Sequence, residues 1–302
     1  MSGCGLILLN KKPGLTSFES LNILKKALST GKVGHTGTLD KFASGLLLAL
    51  AGNAGKLASL FADCRKTYRG SILFGTETDT LDPEGKIIAE AAAPPREKVE
   101  SVLRNFRGDI FQAPPAYSAV HINGVRAHEL SRMGKEPEMK KRPVIIYELE
   151  LLSWQPPCAE IHVCCSSGTY IRSLARDIAL AAGSRAHLCA LERTRIGNFT
   201  LEEAFDPQKY ADLTVTEALV KAIRPVNPGI FKSLDLPVAN ANDEQIRSIN
   251  HGQSLESPIL KNLTANLPAA RAAGVFTDSG RLAAVLECQN NKWNYGHVFP
   301  QM

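Results

Sequence analysis

Three short stretches of the sequence combine charged and aromatic residues in patterns that could support catalysis. The first runs from Gly34 to Leu46 and places one carboxylate, Asp40, between the imidazole of His35 and an apolar segment. Its glycines suggest a phosphate-binding loop, but it lacks the Walker and dinucleotide-binding patterns Gly-x-x-x-x-Gly-Lys-Ser/Thr and Gly-x-Gly-x-x-Gly. Asp40 is therefore either a positioned catalytic carboxylate or a cap for a helix expected to follow it.

The second stretch runs from Cys165 to Asp177 and predicts a strand, a Ser/Gly turn and a helix. Tyr170 and Arg172 lie where that helix begins. An arginine at this point could hold a carboxylate or a phosphate through two parallel hydrogen bonds. The alternative is that Arg172 pairs with Asp177 or Asp40 for packing alone.

The third stretch contains Lys66, Tyr68 and Arg69 on a predicted strand. Because side chains alternate along a strand, Lys66 and Tyr68 share one face and Arg69 lies on the other. An aromatic ring beside cations is typical of proteins that stack nucleic-acid bases while contacting phosphates. A single strand tyrosine can equally belong to the core.

Strands and helices are predicted to alternate irregularly around these stretches. The predicted strands cover 6–9, 67–74, 86–89, 144–152, 161–165 and 187–195, and the predicted helices cover 16–28, 56–61, 96–106 and 173–182. Residues 30–44 are predicted to form a loop. Frequent hairpin-like pairs favour an α+β fold built on a mixed, largely antiparallel sheet flanked by helices.

The chain has 302 residues, which suggests two domains, predicted at 1–232 and 233–302 around a proline-rich linker. Short apolar pieces in the second part predict a small β-barrel. The first part carries a net charge of +6 and the second −1. Basic clusters within 126–142 and 172–195 fit either a solvated face or a polyanionic partner such as nucleic acid.

Several classes of protein are disfavoured by the composition. No apolar run approaches the ~18 residues that span a bilayer, and the N-terminus lacks the order of a secretory signal, so we expect a cytoplasmic protein with no membrane association. The seven cysteines include no Cys-x-x-Cys, and the histidines include no His-x-x-x-His. We therefore expect reduced thiols, no metal and no cofactor.

Five motifs follow one another along the chain: Asn10-Lys-Lys-Pro-Gly-Leu-Thr-Ser17, the loop from Gly34 to Leu46, Lys66-Thr-Tyr68 with Gly75-Thr-Glu-Thr-Asp79-Thr, Gln112-Ala-Pro-Pro-Ala-Tyr-Ser-Ala119, and Gly168-Thr-Tyr-Ile-Arg172. From about Leu6 to Phe199 this series resembles the bacterial TruB family of tRNA pseudouridine synthases, which convert uridine 55 in the tRNA T-arm to pseudouridine. From about Leu236 the tail resembles, with looser motifs, the small RNA-binding PUA domain of such enzymes. The resemblance implies a pseudouridine synthase fold and tRNA as partner.

The resemblance also implies roles for individual residues. Asp40 matches the catalytic aspartate, and His35 matches the histidine that fills the space of the extruded base. Tyr68 matches the tyrosine stacked on the target uracil. Isomerising uridine involves no redox change, which agrees with the absence of nucleotide and metal motifs.

Three further residues and one segment complete the implied site. Tyr170 and Arg172 match active-site residues, with Arg172 paired to the aspartate and expected to lower the pKa of Asp40. Leu191 matches an apolar wall of the pocket. The basic insertion at about 120–143 resembles the segment that closes over the T-arm stem-loop. We expect the protein to act as a monomer.

The sequence departs from the family pattern in its poorly matched, net acidic tail and at two single positions, none of them in the implied catalytic set. Lys41 stands where proline is usual, and His128 stands where tyrosine is common. The competing hypothesis is a non-catalytic tRNA-binding or RNA-folding protein on the same scaffold. Such a protein would need the basic surface but not Asp40, so the intact set of active-site residues favours the enzyme.

Overall fold

The computed structural model describes residues 4–135, 137–210 and 212–300. The strands are β1 (Gly5–Lys11), β2 (Val33–His35), β3 (Ser44–Ala51), β4 (Lys66–Phe74), β5 (Thr76–Thr78), β6 (Ile87–Glu90), β7 (Gly108–Gln112), β8 (His121–Ile122), β9 (Val125–Arg126), β10 (Arg142–Gln155), β11 (Cys158–Cys165), β12 (Ala186–Ile196), β13 (Phe199–Thr200), β14 (Val238–Ala241), β15 (Ala272–Thr277), β16 (Leu282–Gln289) and β17 (Lys292–Val298). The α-helices are α1 (Asn22–Ala27), α2 (Ala58–Ala62), α3 (Arg96–Leu103), α4 (Ala127–Arg132), α5 (Ile171–Ala181), α6 (Asp212–Lys221), α7 (Pro228–Lys232), α8 (Asp243–Asn250) and α9 (Lys261–Ala265).

One large sheet forms the centre of the first part of the chain. Its strands follow the order β1-β3-β12-β4-β11-β10-β7, with β2 paired to β3 and β13 paired to β12. The β3–β12 pairing is parallel, and the other pairings of this sheet are antiparallel. This arrangement confirms the predicted α+β fold on a mixed, largely antiparallel sheet.

Helix α5 packs on one face of the sheet because its apolar residues recur at one side. Positions 171, 174, 175 and 178 are buried, which is the i, i+3, i+4, i+7 spacing of a core-facing helix. They share a core with Ile72, Ile161 and Leu188 of the central strands. Burial of each large apolar side chain stabilises the fold by roughly 1.5–3 kcal/mol, so the position of α5 on the sheet is well determined.

A second core joins the two predicted domains. Leu8 of β1 and Leu48 of β3 lie in one apolar cluster with Phe231 of α7 and Phe276 of β15. The two phenylalanine rings meet edge to face, with centroids 5.3 Å apart. The tail thus shares apolar packing with the central sheet. Because this packing crosses the predicted domain boundary at residue 232, that boundary stays a prediction.

The tail contains a sheet of four strands in the order β14-β15-β16-β17. Within the described part of the chain this sheet is open, so the small closed barrel expected from the sequence is not found there. Strands β14 and β15 run parallel, and the next two pairings are antiparallel. No helix in the described ranges is long and apolar enough to cross a membrane.

The segment around Asp40 differs from its sequence prediction. Residues 33–35 form a short strand rather than a loop, and the chain continues from the loop into β3, not into a helix. The proposed role of Asp40 as a helix cap is therefore wrong. The physical reason is that residues 45–51 are buried in the sheet, with β1 on one side and β12 and then β2 on the other, where a continuous apolar run is typical of a central strand.

A glycine allows the close approach of β3 to β12. Gly45 has φ +103, and a Cβ atom there would overlap the backbone of Arg193.

We expect Gly45→Ala to lower the free energy of unfolding by more than about 1 kcal/mol, because the substitution adds both steric overlap and backbone strain. Thermal unfolding measures the change. Gly55→Ala is the matched control, because Gly55 has open space around its Cα, and equal melting temperatures for the two variants would contradict the assignment.

Candidate active site

A cleft of about 600 Å³ lies where the loop before β3, strand β4 and the start of α5 meet. Five of the six predicted site residues line it: Asp40, Tyr68, Tyr170, Arg172 and Leu191. The sequence separation between these residues means that only the folded sheet and helix bring them together.

His35 is the sixth predicted residue, and it does not line this cleft. It lies on β2, opposite Ala49 of β3, and is partly buried. Burial, together with the nearby charge of Arg193, lowers the pKa of His35 below its ordinary value. The neutral imidazole is therefore favoured at this position.

Arg172 is the centre of the polar contacts in the cleft. Its Nη2 donates to Asp40 Oδ1 at 2.9 Å, and its Nη1 donates to Asp82 Oδ2 at 3.0 Å. The same two nitrogens donate to the carbonyl oxygens of Tyr117 and Thr80, at 3.2 and 2.8 Å. The guanidinium thus joins three distant segments of the chain.

The predicted pairing of Arg172 is confirmed for Asp40 and wrong for Asp177. Asp177 instead contacts Arg176, its neighbour in the chain, at 2.8 Å. The second carboxylate on Arg172 is Asp82, from the turn after β5. This turn contributes because residues 78–82 are held compactly by their own hydrogen bonds, including Thr78 Oγ1 to Asp82 O at 2.8 Å.

The electrostatic environment of Asp40 differs from the sequence prediction. Desolvation in the cleft raises the pKa of Asp40 above its ordinary value, and the Arg172 guanidinium opposes that rise. The negative charge of Asp82 adds to the rise. The predicted net lowering of the pKa was therefore wrong, although the direction of the contribution from Arg172 was right. The side chain of Asp40 keeps 34% of its surface exposed, so it remains accessible from the cleft.

The first sequence motif holds the loop that carries Asp40. The backbone N–H of Leu39 donates to Ser17 Oγ at 2.8 Å, and this hydroxyl donates back to the Leu39 carbonyl oxygen at 3.0 Å. The carbonyl oxygen of Lys41 accepts from the N–H of Gly14 at 2.8 Å and from Lys11 Nζ at 3.3 Å. The residues on both sides of Asp40 are therefore fixed by the segment after β1.

Two buried cations support the same loop. Lys11 is almost fully buried, and desolvation lowers its pKa to about 8, although the charge of Asp40 acts in the opposite direction. Arg193 of β12 donates through Nε to the carbonyl oxygen of Leu46 at 2.8 Å and through Nη2 to that of Gly37 at 3.1 Å. Carbonyl oxygens thus compensate the burial of both charges.

The fourth motif holds the start of α5. The side-chain oxygen of Gln112 accepts from the backbone N–H of Tyr170 at 2.8 Å. The hydroxyl of Ser173 donates to the Ala113 carbonyl oxygen at 2.8 Å. These contacts, with the packing of α5, place Tyr170 and Arg172 at the mouth of the helix as predicted.

Tyr68 belongs both to the core and to the cleft. It is buried on the same face of β4 as Lys66, and Arg69 is exposed on the opposite face, which confirms the predicted alternation. The ring lies in the central apolar cluster and lines the cleft together with Leu191. The core interpretation is therefore confirmed, and the position of the ring on the cleft leaves base stacking by Tyr68 as a prediction.

The basic insertion forms part of the cleft wall. It contains β8, β9 and α4, and His128 and Arg132 of α4 line the cleft. The ring Nδ1 of His128 lies 2.9 Å from the Ser118 carbonyl oxygen, so this departure from the family pattern makes a local contact in the insertion.

Four supporting residues were not identified from the sequence. Lys11, Ser17, Asp82 and Arg193 all hold the segments that carry Asp40 or Arg172. Lys11 and Ser17 lie inside the first motif, which was a usable signal. Asp82 and Arg193 are identified only by contacts between distant segments.

Comparison with known proteins gives one family. Residues 25–171 match the family described as TruB family pseudouridylate synthase (N terminal domain). The chain is 46% identical over 203 residues to tRNA pseudouridine synthase B of Borreliella afzelii, covering 66% of this chain and 72% of that protein. It is 39% identical over 277 residues to tRNA pseudouridine synthase B of Zymomonas mobilis, covering 88% and 90%. Among solved structures, it is similar to a chain of a Cbf5-Nop10-Gar1 complex with TM-score 0.69 and 25% identity, covering 99% of this chain and 84% of that one.

We predict a raised pKa for the Asp40 carboxyl, which a titration can measure. This group should titrate above the ordinary value of 3.8, because burial disfavours the charged form more than Arg172 favours it. In the Arg172→Gln variant the midpoint should move to still higher pH, because a contribution that lowers the pKa is removed. Side-chain ¹³C shifts measure both midpoints, with Asp40→Asn identifying the resonance. A midpoint that falls in Arg172→Gln would contradict the assignment.

Proposed function

The chain belongs to the TruB family of pseudouridylate synthases, and from that premise we propose that it converts uridine 55 in the T-loop of tRNA into pseudouridine. The observation that carries the proposal is the 2.9 Å contact between Arg172 and Asp40 in a cleft that two tyrosines also line. The reaction breaks the C1′–N1 bond, turns the uracil and joins C5 to C1′; C5 then loses its proton and N1 gains one, so that the product is an isomer of the substrate. Nothing is oxidised or reduced, so one positioned carboxylate is the central chemical requirement.

Asp40 is the reacting group in this proposal. Arg172 donates to Oδ1 only, and no hydrogen bond to Oδ2 is found within the described ranges. Oδ2 is therefore the oxygen available to substrate, as a nucleophile towards the ribose or the base, or as a base at C2′. A carboxylate with a raised pKa is more basic, and the Arg172 guanidinium opposes the rise.

The aromatic and apolar walls of the cleft receive the flipped base. Extruding a base costs a few kcal/mol, and stacking on an aromatic ring returns about 1–3 kcal/mol per base. Tyr68 supplies the ring, Leu191 supplies the apolar side, and Tyr170 lies at the entrance of the helix. His35 fills the space that the base leaves in the RNA. His35 lies outside the cleft. This role therefore requires the position that the extruded base leaves in the RNA to lie beside β2.

The partner in this proposal is the T-arm stem-loop of tRNA, bound by a monomer in the cytoplasm. The insertion at about 120–143 carries exposed cations, of which Arg132 lines the cleft, and these charges suit the RNA backbone. The four-stranded sheet of the tail acts as a PUA-like module that contacts RNA outside the T-loop. Its net negative charge restricts this contact to local basic residues.

A non-catalytic RNA-binding or RNA-folding protein is the alternative. It would require the basic insertion but no carboxylate in the cleft. Asp40 is not a member of the apolar core cluster beside the cleft, and desolvation together with the charge of Asp82 raises its pKa. Such an arrangement is typical of a catalytic group and favours the enzyme.

We predict that Asp40→Asn lowers pseudouridine formation by more than about 1,000-fold, because the reacting carboxylate is lost. Affinity for the T-arm stem-loop should stay within a few-fold, because the amide keeps the shape of the site. Tritium release from C5-labelled uridine measures turnover, and equilibrium binding measures affinity. Asp63→Asn, at an exposed carboxylate outside the cleft, is the control. Substantial turnover by Asp40→Asn would support the non-catalytic alternative.

We also predict that replacing the ring of Tyr68 affects turnover far more than removing a cation of the insertion. Tyr68→Leu should lower turnover by about 5- to 150-fold through lost stacking, and Tyr68→Phe should retain most of it. Arg126→Ala, outside the cleft, should cost only a few-fold. Melting temperatures separate loss of stacking from loss of packing. Equal losses in Tyr68→Leu and Arg126→Ala would show that Tyr68 serves only the core.

A further inference from the structure

Lys41 extends from residues 36–43, the loop between β2 and β3 that carries Asp40 and is called the catalytic loop below. The amine of Lys41 is only loosely held. Its Nζ lies 3.6 Å from Glu84 Oε1, and the two side chains are 52% and 48% exposed. Its backbone, in contrast, is fixed, because its carbonyl oxygen accepts from Gly14 and Lys11. The loop therefore presents an exposed positive charge at a defined place beside Asp40.

Glu84 is attached to the same network that holds Asp40. Its backbone N–H donates to Asp82 Oδ1 at 3.0 Å, and Asp82 is bound to Arg172. The ion pair between Lys41 and Glu84 thus links the catalytic loop to the turn after β5 across the rim of the cleft. Ion pairs between half-exposed side chains add little stability, so the Lys41 ammonium group can leave Glu84 for another anionic partner at little cost.

The remaining cations of the cleft are differently placed. Among the described residues that line it, Lys66, Arg172 and Arg193 are buried and donate to backbone or carboxylate oxygens. Lys41 and Arg132 are the exposed ones, on the catalytic loop and on α4 of the insertion. An RNA backbone that enters between these two elements meets the exposed ammonium group of Lys41, which is paired only with Glu84.

We propose that Lys41 binds a backbone phosphate beside the flipped nucleotide, and that Glu84 holds the lysine until the RNA displaces it. The ammonium group is a compact phosphate-binding charge, and its exchange from carboxylate to phosphate leaves Glu84 in water. Glu84 then acts as a competitor that weakens RNA binding in the free enzyme. This inference rests on the proposed function, because it takes the occupant of the cleft to be RNA.

Binding of a T-arm stem-loop across a salt series tests the proposal, with all variants in the Asp40→Asn background so that no turnover occurs. Lys41→Gln should weaken binding about tenfold at low salt and reduce the salt slope by about 0.7–0.9, the value for one phosphate contact. Glu84→Gln should tighten binding a few-fold. The effect of Glu84→Gln should be much smaller when Lys41 is also glutamine, because the competitor then has no lysine to hold.

Two control variants keep the test specific. Lys41→Arg retains the charge and should bind nearly as the parent does, and Lys98→Gln removes an exposed lysine of α3 outside the cleft and should leave affinity within about twofold. An unchanged affinity and salt slope in Lys41→Gln would overturn the proposal. So would a lower turnover of Lys41→Gln, measured with Asp40 intact, at unchanged affinity, since the ion pair would then serve only the loop.

Parallel assays of the parent enzyme separate this inference from the proposed function. Pseudouridine formation by the intact enzyme, together with an unaffected Lys41→Gln, overturns the phosphate contact alone. Absence of pseudouridine formation by the intact enzyme overturns the proposed function. If the intact enzyme also fails to bind the stem-loop, the proposed phosphate contact is overturned together with the proposed function.

Discussion

The buried guanidinium of Arg172 constrains the site more than any other group. Removing a cation from water costs several kcal/mol unless its donors find partners. The two terminal nitrogens of this guanidinium donate to two carboxylates and two backbone carbonyl oxygens, while its buried Nε has no hydrogen-bond partner among the described residues. Those acceptors come from three separate segments around residues 40, 80–82 and 117. The helix that carries Arg172 is itself held by apolar packing on the sheet. Core packing and active-site geometry are therefore parts of one arrangement.

The balance of charge around this arginine is suited to a reactive carboxylate. Asp40 and Asp82 share one guanidinium, and burial further disfavours the ionised form of Asp40. Its pKa rises, which makes the carboxylate more basic, and the arginine opposes that rise. Lys41 and Glu84 extend the same alternation of charges to the rim, where both side chains are about half exposed and solvent weakens their attraction.

The tail supports the site through the sheet. Strand β3 continues directly from the catalytic loop and lies between β1 and β12. Its apolar side chains, and those of β1, pack against Phe231 and Phe276. The tail is therefore placed to stabilise the strands that hold the Asp40 loop, and this contribution is independent of any contact that it makes with RNA.

The sequence by itself determined the features that depend on local order. The alternation that buries Tyr68 and exposes Arg69, and the spacing that places Arg172 at the start of α5, are properties of neighbouring residues. Tertiary structure decided the choice of Asp82 over Asp177 as a partner of Arg172, the strand after Asp40 and the raised pKa of that carboxylate. Each of these depends on which distant segments become neighbours. These features depend on how deeply groups are buried and on which charges lie close together in the folded chain. Neither quantity can be calculated from the spacing of residues along the sequence.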